Sequence, residues 1–266
     1  MDLQLEGKSA VVTGGSRGIG KAVALQLARE GCGVVVCARS QGPLEEAAAA
    51  IAAETGRRCI PVSADTSKPA DLERVIETAV RELGGVDILV NNAAQVGGGG
   101  RNDTLLQGDE SLFADDFNTK MMGYVRASRL AARHMAERGW GRIIIISGMA
   151  SRYAGGVSGG MRNAAVTNLG AVLAQELGAH GVTVNTLQPG AVDTEALSGR
   201  LATMAERQGA TADELRQRMA EGNAIGKIVT PAEIANVVAF LASPLSLAVT
   251  GESISVSGGG GRAIFY

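Results

Sequence analysis

The sequence is poor in aromatic residues and histidine and has no excess of charge of either sign. Aromatic residues make up 3% of its 266 residues, there are 2 histidines, and 25 basic residues are matched by 27 acidic ones. A chain with this balance has no general attraction to nucleic acid or to an anionic membrane surface. We therefore expect a small-molecule partner and a core filled mainly by aliphatic side chains.

Cysteines and long apolar runs are also scarce. The 3 cysteines form no Cys-x-x-Cys pair, which is typical of a reducing compartment rather than of a disulfide-bonded secreted protein. No run approaches the ~20 apolar residues of a membrane span, and the first residues lack the pattern of a signal peptide. His134 and His180 have no carboxylate or cysteine at ligand spacing. We expect a cytoplasmic protein with no metal site.

Length and patterning predict one α/β domain. Short β-branched runs alternate with segments of helical period, as in repeated β-α-β units. Continuous apolar runs suit strands that are covered on both faces, hence a parallel sheet. The sequence predicts a doubly wound, mainly parallel seven-stranded sheet with helices on both faces. The predicted strands are Ala10–Thr13, Val34–Cys37, Cys59–Val62, Ile88–Asn91, Ile143–Ser147, Thr183–Leu187 and Ser253–Val256.

One segment interrupts this alternation. Residues 195–227 contain no strand pattern and carry many charged residues, so we expect one or two exposed helices there, inserted before the last β-α unit. An insertion at this point of the chain predicts a lid over the substrate.

A glycine-rich loop, Gly14–Gly20, joins the first predicted strand to the first helix. Strand, tight turn and helix start together present backbone N–H groups and the positive end of the helix dipole to a pyrophosphate. Gly14 permits the turn, Gly18 lets the phosphates approach, and Gly20 allows close packing of helix on strand. This context predicts a dinucleotide site.

The glycine spacing, with three residues and then one residue between the glycines, resembles that of the short-chain dehydrogenase/reductase family. Further landmarks follow in the family's order: Asp65, the run Asn91-Asn92-Ala93-Ala94, Pro189-Gly190 with Thr194, and Gly251. The resemblance spans essentially the whole chain and implies one Rossmann domain over residues 1–266. It implies a cofactor site formed by Gly14, Ser16, Arg17, Gly18, Ile19, Gly20, Asp65, Thr66, Asn91, Ala93, Asn163, Pro189, Gly190, Val192 and Thr194.

The end of the second predicted strand indicates which dinucleotide is bound. A carboxylate there favours the 2′-hydroxyl of NAD(H), whereas cations favour the 2′-phosphate of NADP(H). The sequence has Ala38-Arg39-Ser40 at this point, and Arg17 in the glycine loop can approach from the other side. We predict a preference for NADP(H).

The catalytic positions depart from the family pattern. Members of the family use Asn, Ser, Tyr and Lys: the tyrosine donates a proton, and the lysine lowers its pKa and holds the cofactor ribose. Counting from matched landmarks places Lys120, Gly148, Gly159 and Asn163 at these four positions, in that order. Lys120 and Asn163 therefore resemble the family's Asn and Lys exchanged between two facing helices.

The exchange predicts an atypical catalytic set. A lysine beside a cationic nicotinamide in a partly apolar cleft would have a lowered pKa, so Lys120 is the expected general acid or base. Asn163 would position the ribose, and Ser147 or Tyr153 would contact the substrate oxygen, with Tyr124 as a further phenol nearby.

Three hypotheses for the function remain open. The first is an NADP(H)-dependent oxidoreductase acting on a carbonyl or alcohol. The second is a non-redox lyase, isomerase or cyclase, and the third is a silent protein that senses the dinucleotide. The resemblance further implies a homodimer or homotetramer, with contacts through the predicted helices Phe113–Arg138 and Asn163–Ala179 and through Gly258–Tyr266.

Overall fold

A computed structural model of the chain describes residues 1–94, 106, 108–154 and 156–261. The strands form one seven-stranded sheet in the order β3-β2-β1-β4-β5-β6-β7, and every neighbouring pair is parallel. The predicted doubly wound sheet is thereby confirmed. The strands are β1 (Ser9–Thr13), β2 (Gly33–Ala38), β3 (Cys59–Ser63), β4 (Ile88–Asn91), β5 (Gly141–Ile146), β6 (Val182–Pro189) and β7 (Ser253–Val256).

Helices cover both faces of the sheet. They are α1 (Gly18–Arg29), α2 (Gln41–Thr55), α3 (Pro69–Leu83), α4 (Glu110–Phe117), α5 (Gly123–Arg138), α6 (Val157–Leu177), α7 (Glu195–Gln208), α8 (Ala212–Glu221) and α9 (Pro231–Ala242). Apolar side chains of α1, α2 and α9 pack on one face, and those of α3, α5 and α6 pack on the other.

Alternate residues of each central strand face the two layers. In β1, Val12 belongs to the cluster with α1 and α9, whereas its neighbour Val11 belongs to the cluster with α3 and α5. Because successive strand side chains point to opposite faces, a continuous apolar run is needed to bury both. The aliphatic runs in the sequence are therefore the direct cause of the two-layered core.

The helix predicted over Phe113–Arg138 is divided at the site. It consists of α4, a π-helical turn over Asn118–Met122, and α5. A π turn inserts one extra residue and re-aims the side chains around it, and such turns are frequent at functional sites. Periodicity alone did not reveal this turn, because the apolar pattern continues through it.

Helix α6 begins six residues before the predicted start at Asn163, at Val157. Its first turn contains Gly159 and Gly160, which disfavour a helix by about 1 kcal/mol each. Tertiary contacts offset this cost: the Ser158 hydroxyl and the Arg162 guanidinium both donate to the carboxylate of Asp116 on α4. The helix start is thus fixed by polar contacts with another helix.

Residues 195–227 include α7 and α8, which have a small apolar cluster of their own. Leu197, Leu201, Ala205 and Leu215 make up this cluster. The guanidinium of Arg216 holds α8 to the Asp193 carboxylate with an N···O distance of 2.5 Å. Because α7 starts directly after Thr194, which caps it, the insertion lies beside the end of β6.

In the part of the chain that the structure describes, no helix is long and apolar enough to cross a membrane. The His, Cys, Asp and Glu side chains of this part form no group of three or more that could hold a metal ion. Residues 262–266, which belong to the predicted C-terminal subunit contact, lie outside the described residues.

Candidate cofactor and active site

A cleft of about 750 Å³ opens at the carboxyl edge of the sheet. Chain order reverses between β1 and β4, since β1 continues to β2 on one side and β4 lies on the other. Such a switch point leaves a crevice where the two adjoining connections separate, and ligands of open α/β sheets bind there. The volume lies within the usual range for ligand sites.

The glycine loop forms one wall of this cleft. Gly14 and Gly18 have φ angles of +71° and +55°, a conformation that favours glycine. A Cβ on Gly20 would clash with the carbonyl oxygen of Gly14, so only glycine lets α1 start this close to the loop. Side chains at the glycine positions would fill the concave surface of the loop. The shape of this surface and its exposed backbone fit a dinucleotide pyrophosphate.

The loop is held by two residues that sequence reasoning did not single out. The side chain of Asn92 donates to the carbonyl oxygens of Thr13 and Gly14, at 2.9 and 3.1 Å. The Thr13 hydroxyl accepts the backbone N–H groups of Asn92 and Ala93. The sequence signal for these hydrogen bonds was the polar pair Asn91-Asn92 at the end of a buried strand.

Most predicted cofactor residues line the cleft: Gly14, Ser16, Arg17, Gly18, Ile19, Arg39, Asp65, Thr66, Ala93, Asn163, Pro189, Gly190, Val192 and Thr194. Gly20 and Asn91 are placed elsewhere. Gly20 is buried in the first turn of α1, and Asn91 is fully buried and donates to the Ser128 hydroxyl at 2.9 Å. These two residues can support the site only from behind its lining.

Two arginines stand at the end of the cleft near β2. Arg17 and Arg39 both line it and are exposed. Neither guanidinium takes part in an ion pair within the described ranges, whereas Arg74 close by is paired with Asp71. Ser40 also lines this end of the cleft. The lining therefore offers two unpaired cations and a hydroxyl to an anionic group.

Lys120 lies on the π turn and is buried beneath the cleft lining, with an exposed fraction of 4%. Its Nζ donates to the Asn163 side-chain oxygen at 2.7 Å and to the Ser147 backbone oxygen at 3.1 Å. The structure thus brings together the two residues that the sequence places in exchanged positions. They belong to different helices and are 43 residues apart in the chain.

Burial changes the acidity of Lys120. Desolvation of the ammonium and, to a smaller extent, the Arg162 guanidinium lower its pKa, the Asp116 carboxylate opposes both, and the net result is a pKa of about 7. An amine with a pKa near neutrality exchanges a proton readily under ordinary conditions, which is the property that acid–base chemistry needs.

The hydroxyl residues occupy different places. Ser147 is buried, and its Oγ donates to the Asn163 backbone oxygen and lies 2.9 Å from the Thr167 hydroxyl. Tyr124 is buried and donates to the Ile146 carbonyl, and burial raises its pKa. Tyr153 lies at the cleft with an exposed fraction of 58%. Of these three residues, only Tyr153 is exposed.

The Asp116–Arg162 ion pair is a feature that the sequence analysis missed. Both side chains are largely buried, with exposed fractions of 9% and 14%. The Asp116 Oδ1 and Arg162 Nε atoms have no hydrogen-bond partner in the described part of the structure. The pair lies next to Lys120 and sets its electrostatic surroundings. Long-range pairing of this kind, across 46 residues, leaves no local sequence signal.

Comparisons with known proteins agree with this arrangement. The family model described as Enoyl-(Acyl carrier protein) reductase matches residues 14–260. The short-chain reductase protein NovJ of Streptomyces niveus is 38% identical over 251 residues, which cover 94% of this chain and 92% of that protein. The 3-oxoacyl-[acyl-carrier-protein] reductase FabG of Vibrio cholerae is 36% identical, with 97% and 98% covered.

Solved structures show the same likeness. L-sorbose reductase from Gluconobacter frateurii, complexed with NADPH and L-sorbose, superposes with a TM-score of 0.93 at 30% identity, over 99% of this chain and 100% of that one. Actinorhodin polyketide ketoreductase with NADPH gives a TM-score of 0.88 at 30% identity, over 95% and 96%.

Proposed function

The chain belongs to the short-chain dehydrogenase/reductase family of oxidoreductases, and we propose that it transfers a hydride between NADP(H) and a carbonyl or alcohol through an atypical catalytic set. The observation that carries this proposal is the buried hydrogen bond between Lys120 and Asn163 at the cleft. An amine and an amide are both present there, although their helices are exchanged relative to the family pattern.

The cofactor residues have distinct roles in this proposal. The glycine loop and the start of α1 bind the pyrophosphate, and Asp65 with Thr66 lies at the adenine. Val192 and Thr194 hold the nicotinamide end, and Pro189-Gly190 forms the wall beside it. When bound, the nicotinamide supplies or accepts the hydride.

Preference for NADP(H) rests on charge. Arg17 and Arg39 are unpaired in the described ranges and line the cleft, and no acidic residue ends β2. A guanidinium binds a phosphate through charge-assisted hydrogen bonds, which a ribose hydroxyl cannot match. Two structural neighbours, L-sorbose reductase and actinorhodin ketoreductase, were solved with NADPH.

Lys120 is the proposed acid in the direction of reduction and the base in the direction of oxidation. Its pKa of about 7 lets it release a proton to the substrate oxygen as negative charge develops there. Asn163 lies between the amine and the cleft and positions the ribose. Ser147 holds α6 through its bonds to Asn163 and Thr167, and Tyr153 contacts the substrate at the rim.

The inserted helices form the substrate end of the cleft. Leu197, Arg200 and Met204 of α7 and Met219 of α8 line it. Because this insertion has its own small core and adjoins the cleft, it suits a lid that closes over the substrate as a unit. Its largely apolar lining excludes water from the site of hydride transfer.

The proposal includes a homodimer or homotetramer. The helices α4 and α6 expose apolar side chains, with exposed fractions of 49% for Leu112, 62% for Met161 and 51% for Val172. Phe113, Phe117 and Met161 also line a second hollow of about 330 Å³ between these helices. Exposed apolar patches of this kind are typical of subunit contacts. Sedimentation velocity that returns a monomer would remove this part of the proposal.

Calorimetric titration followed by a spectrophotometric assay tests the function. NADPH should bind more tightly than NADH, and NADPH oxidation at 340 nm should appear with a member of a panel containing cyclohexanone, ethyl acetoacetate, benzaldehyde and a naphthoquinone. Binding of NADPH with no turnover across a broad panel would favour the two other hypotheses, a non-redox enzyme or a dinucleotide sensor. Absence of binding would contradict the cofactor site itself.

A further inference from the structure

The amide of Asn163 is held in one orientation by the residue behind it. We propose that its Nδ2 donates the hydrogen bond that a substrate carbonyl oxygen requires, and that Lys120 is the positioning residue that turns this amide toward the cleft. The inference rests on the proposed function and gives Asn163 a role toward the substrate in addition to its role toward the ribose.

The orientation follows from the donor inventory. A lysine ammonium is a donor only, so the Asn163 atom 2.7 Å from Nζ must be the carbonyl oxygen Oδ1. A flipped amide would place two donors against each other. Oxygen and nitrogen of an amide are assigned from the hydrogen-bond network, and with Lys120 protonated the network allows only one assignment. Nδ2 must therefore point away from Lys120.

The space on the other side of Asn163 is open because of a glycine. A Cβ built on Gly148 would lie 3.1 Å from Asn163 Nδ2, and both residues line the cleft. Nδ2 has no hydrogen-bond partner in the described part of the chain. Because Asn163 lines the cleft, this donor is open to a ligand. A ligand oxygen in the cleft would satisfy this donor.

The other side chains nearby are less suited to donate a hydrogen bond to the substrate oxygen. The Ser147 hydroxyl is already bonded to the backbone of α6 and to Thr167. Tyr124 donates to a main-chain carbonyl in the core. The family's phenol position is Gly159, which has no side chain. Among these side chains, Asn163 is the one that lines the cleft with an amide N–H not already bonded in the described part of the chain.

With Asn163 as the hydrogen-bond donor, the reduction of a carbonyl group balances in atoms and electrons. In reduction, hydride adds to the carbonyl carbon, and the electron pair of the C=O π bond moves to oxygen, which becomes an alkoxide. The Asn163 N–H stabilises that developing charge by hydrogen bonding and keeps its proton. The Asn163 side chain lies between the Lys120 amine and the alkoxide, so the alkoxide takes its proton from the Lys120 ammonium through one bridging water rather than directly, and the ammonium becomes a neutral amine. A neutral amine still has two N–H groups, enough for both of its present acceptors.

The charged and titratable groups that face Lys120 come from three elements. Asp116 belongs to α4, Arg162 to α6 and Tyr124 to α5, and the Tyr124 ring centre lies 5.8 Å from Nζ. Because the acid–base step and the amide orientation both depend on Lys120, they need separate readouts. Nuclear magnetic resonance reports the orientation, and kinetics of Asn163 variants report the hydrogen bond.

The orientation is tested with protein labelled with ¹⁵N at asparagine. The Asn163 side-chain signals are those that disappear in Asn163→Asp. In the wild type we expect them to move when cyclohexanone is added with NADP⁺. In Lys120→Met we expect them to change position and to stop responding to cyclohexanone. Signals unchanged by Lys120→Met would overturn the positioning role, whether or not the protein turns over any substrate.

The hydrogen bond is tested by kinetics on a substrate identified in the panel. Asn163→Asp keeps an acceptor for Lys120 but has no donor, so kcat should fall by about 100-fold. The dissociation constant for NADPH should rise by much less than about 100-fold, because Asn163 is one of many residues that line the cofactor cleft. Asn168→Asp, an exposed change on the same helix, is the matched control and should leave kcat unaltered. Equal kcat for Asn163→Asp and the wild type would overturn the inference.

Different results would contradict the proposed function and the donor role of Asn163. If the wild type binds NADPH but reduces nothing, the proposed function fails, while the amide signals still decide whether Lys120 orients Asn163. If the wild type reduces a ketone and Asn163→Asp does so equally well, the proposed function stands and the donor assignment fails.

Discussion

The two halves of the cleft differ in how closely they follow the family pattern. The half around β1, α1 and β2 has the glycine spacing and the strand-loop-helix context in full. In the half formed by the π turn, β5 and α6, counting from sequence landmarks predicts Lys120, Gly148, Gly159 and Asn163 at the family's four catalytic positions. The first half is specified by backbone geometry and the second by the chemistry of side chains.

This contrast predicts that the two halves differ in their tolerance to substitution. A Cβ on Gly20 would clash with the backbone of Gly14, and no rotamer change can relieve that contact. By contrast, an amine and an amide that bond to each other across two helices can exchange places and keep the bond. The catalytic half can therefore change its residues without losing its internal hydrogen bonding.

The largest effect is expected in the cofactor half. Gly20→Val should weaken NADPH binding by more than about 100-fold, because the loop must move away from the pyrophosphate. Calorimetric titration measures this. Gly178→Ala is the control, since its Cβ would meet no atom within 4 Å and it lies at the far end of α6. Tight binding by Gly20→Val would mean that the loop is not the phosphate site.

The next effect tests the exchange directly. Lys120→Asn and Asn163→Lys should each lower kcat by about 100-fold, because each leaves two like groups facing each other. The double variant restores an amine–amide pair in the opposite order and should recover at least about tenfold over either single variant. Strictly additive losses in steady-state kinetics would show that the two residues do not act as a pair.

Cofactor preference gives a smaller effect. Arg39→Ala should weaken NADPH binding by about tenfold or more, the value of one charge-assisted hydrogen bond to phosphate, and should leave NADH binding nearly unchanged. Titration with both nucleotides measures the ratio. Arg74→Ala, which removes an arginine already paired with Asp71, serves as control. Equal losses for NADPH and NADH would contradict a 2′-phosphate contact.

The smallest effect concerns stability. The pKa of Lys120 is about 7 in the folded chain against 10.5 for an unperturbed lysine, so the unfolded chain binds more protons between these values. Wild-type stability should therefore gain about 1 kcal/mol per pH unit from this group as the pH rises from 7 toward 10. Lys120→Met lacks this gain. Urea unfolding of both proteins at pH 7, 8 and 9 measures it, and parallel pH dependences would contradict the lowered pKa.

Much of the fold was predictable from local pattern. Continuous aliphatic runs gave strands that are covered on both faces, and Gly14–Gly20 predicted the loop at the switch point of the sheet. The predicted ends of strands and helices differ from the observed ends by a few residues. In the strands, main-chain pairing extends beyond the apolar run, as at Val182–Pro189. Register with the neighbouring strands, rather than composition, sets those ends.

The site was predictable only in part. Counting along the chain placed Lys120 and Asn163 at facing positions, and the structure joins them. The ion pair of Asp116 with Arg162 and the π turn at Asn118–Met122 could not be read from the sequence, because both depend on contacts between distant segments. Asn91 was expected in the lining, but its side chain bonds to Ser128 inside the core. The position of a residue at the end of a strand does not determine the direction of its side chain.

The pH dependence of kcat for carbonyl reduction tests the central claim most directly. If the Lys120 ammonium is the acid, kcat should fall about tenfold per pH unit above a midpoint near 7, and Lys120→Met should abolish that dependence at a much lower rate. A wild-type profile that stays flat to pH 9 and falls only near pH 10 would point instead to an acid other than Lys120. That result would contradict the role assigned to Lys120.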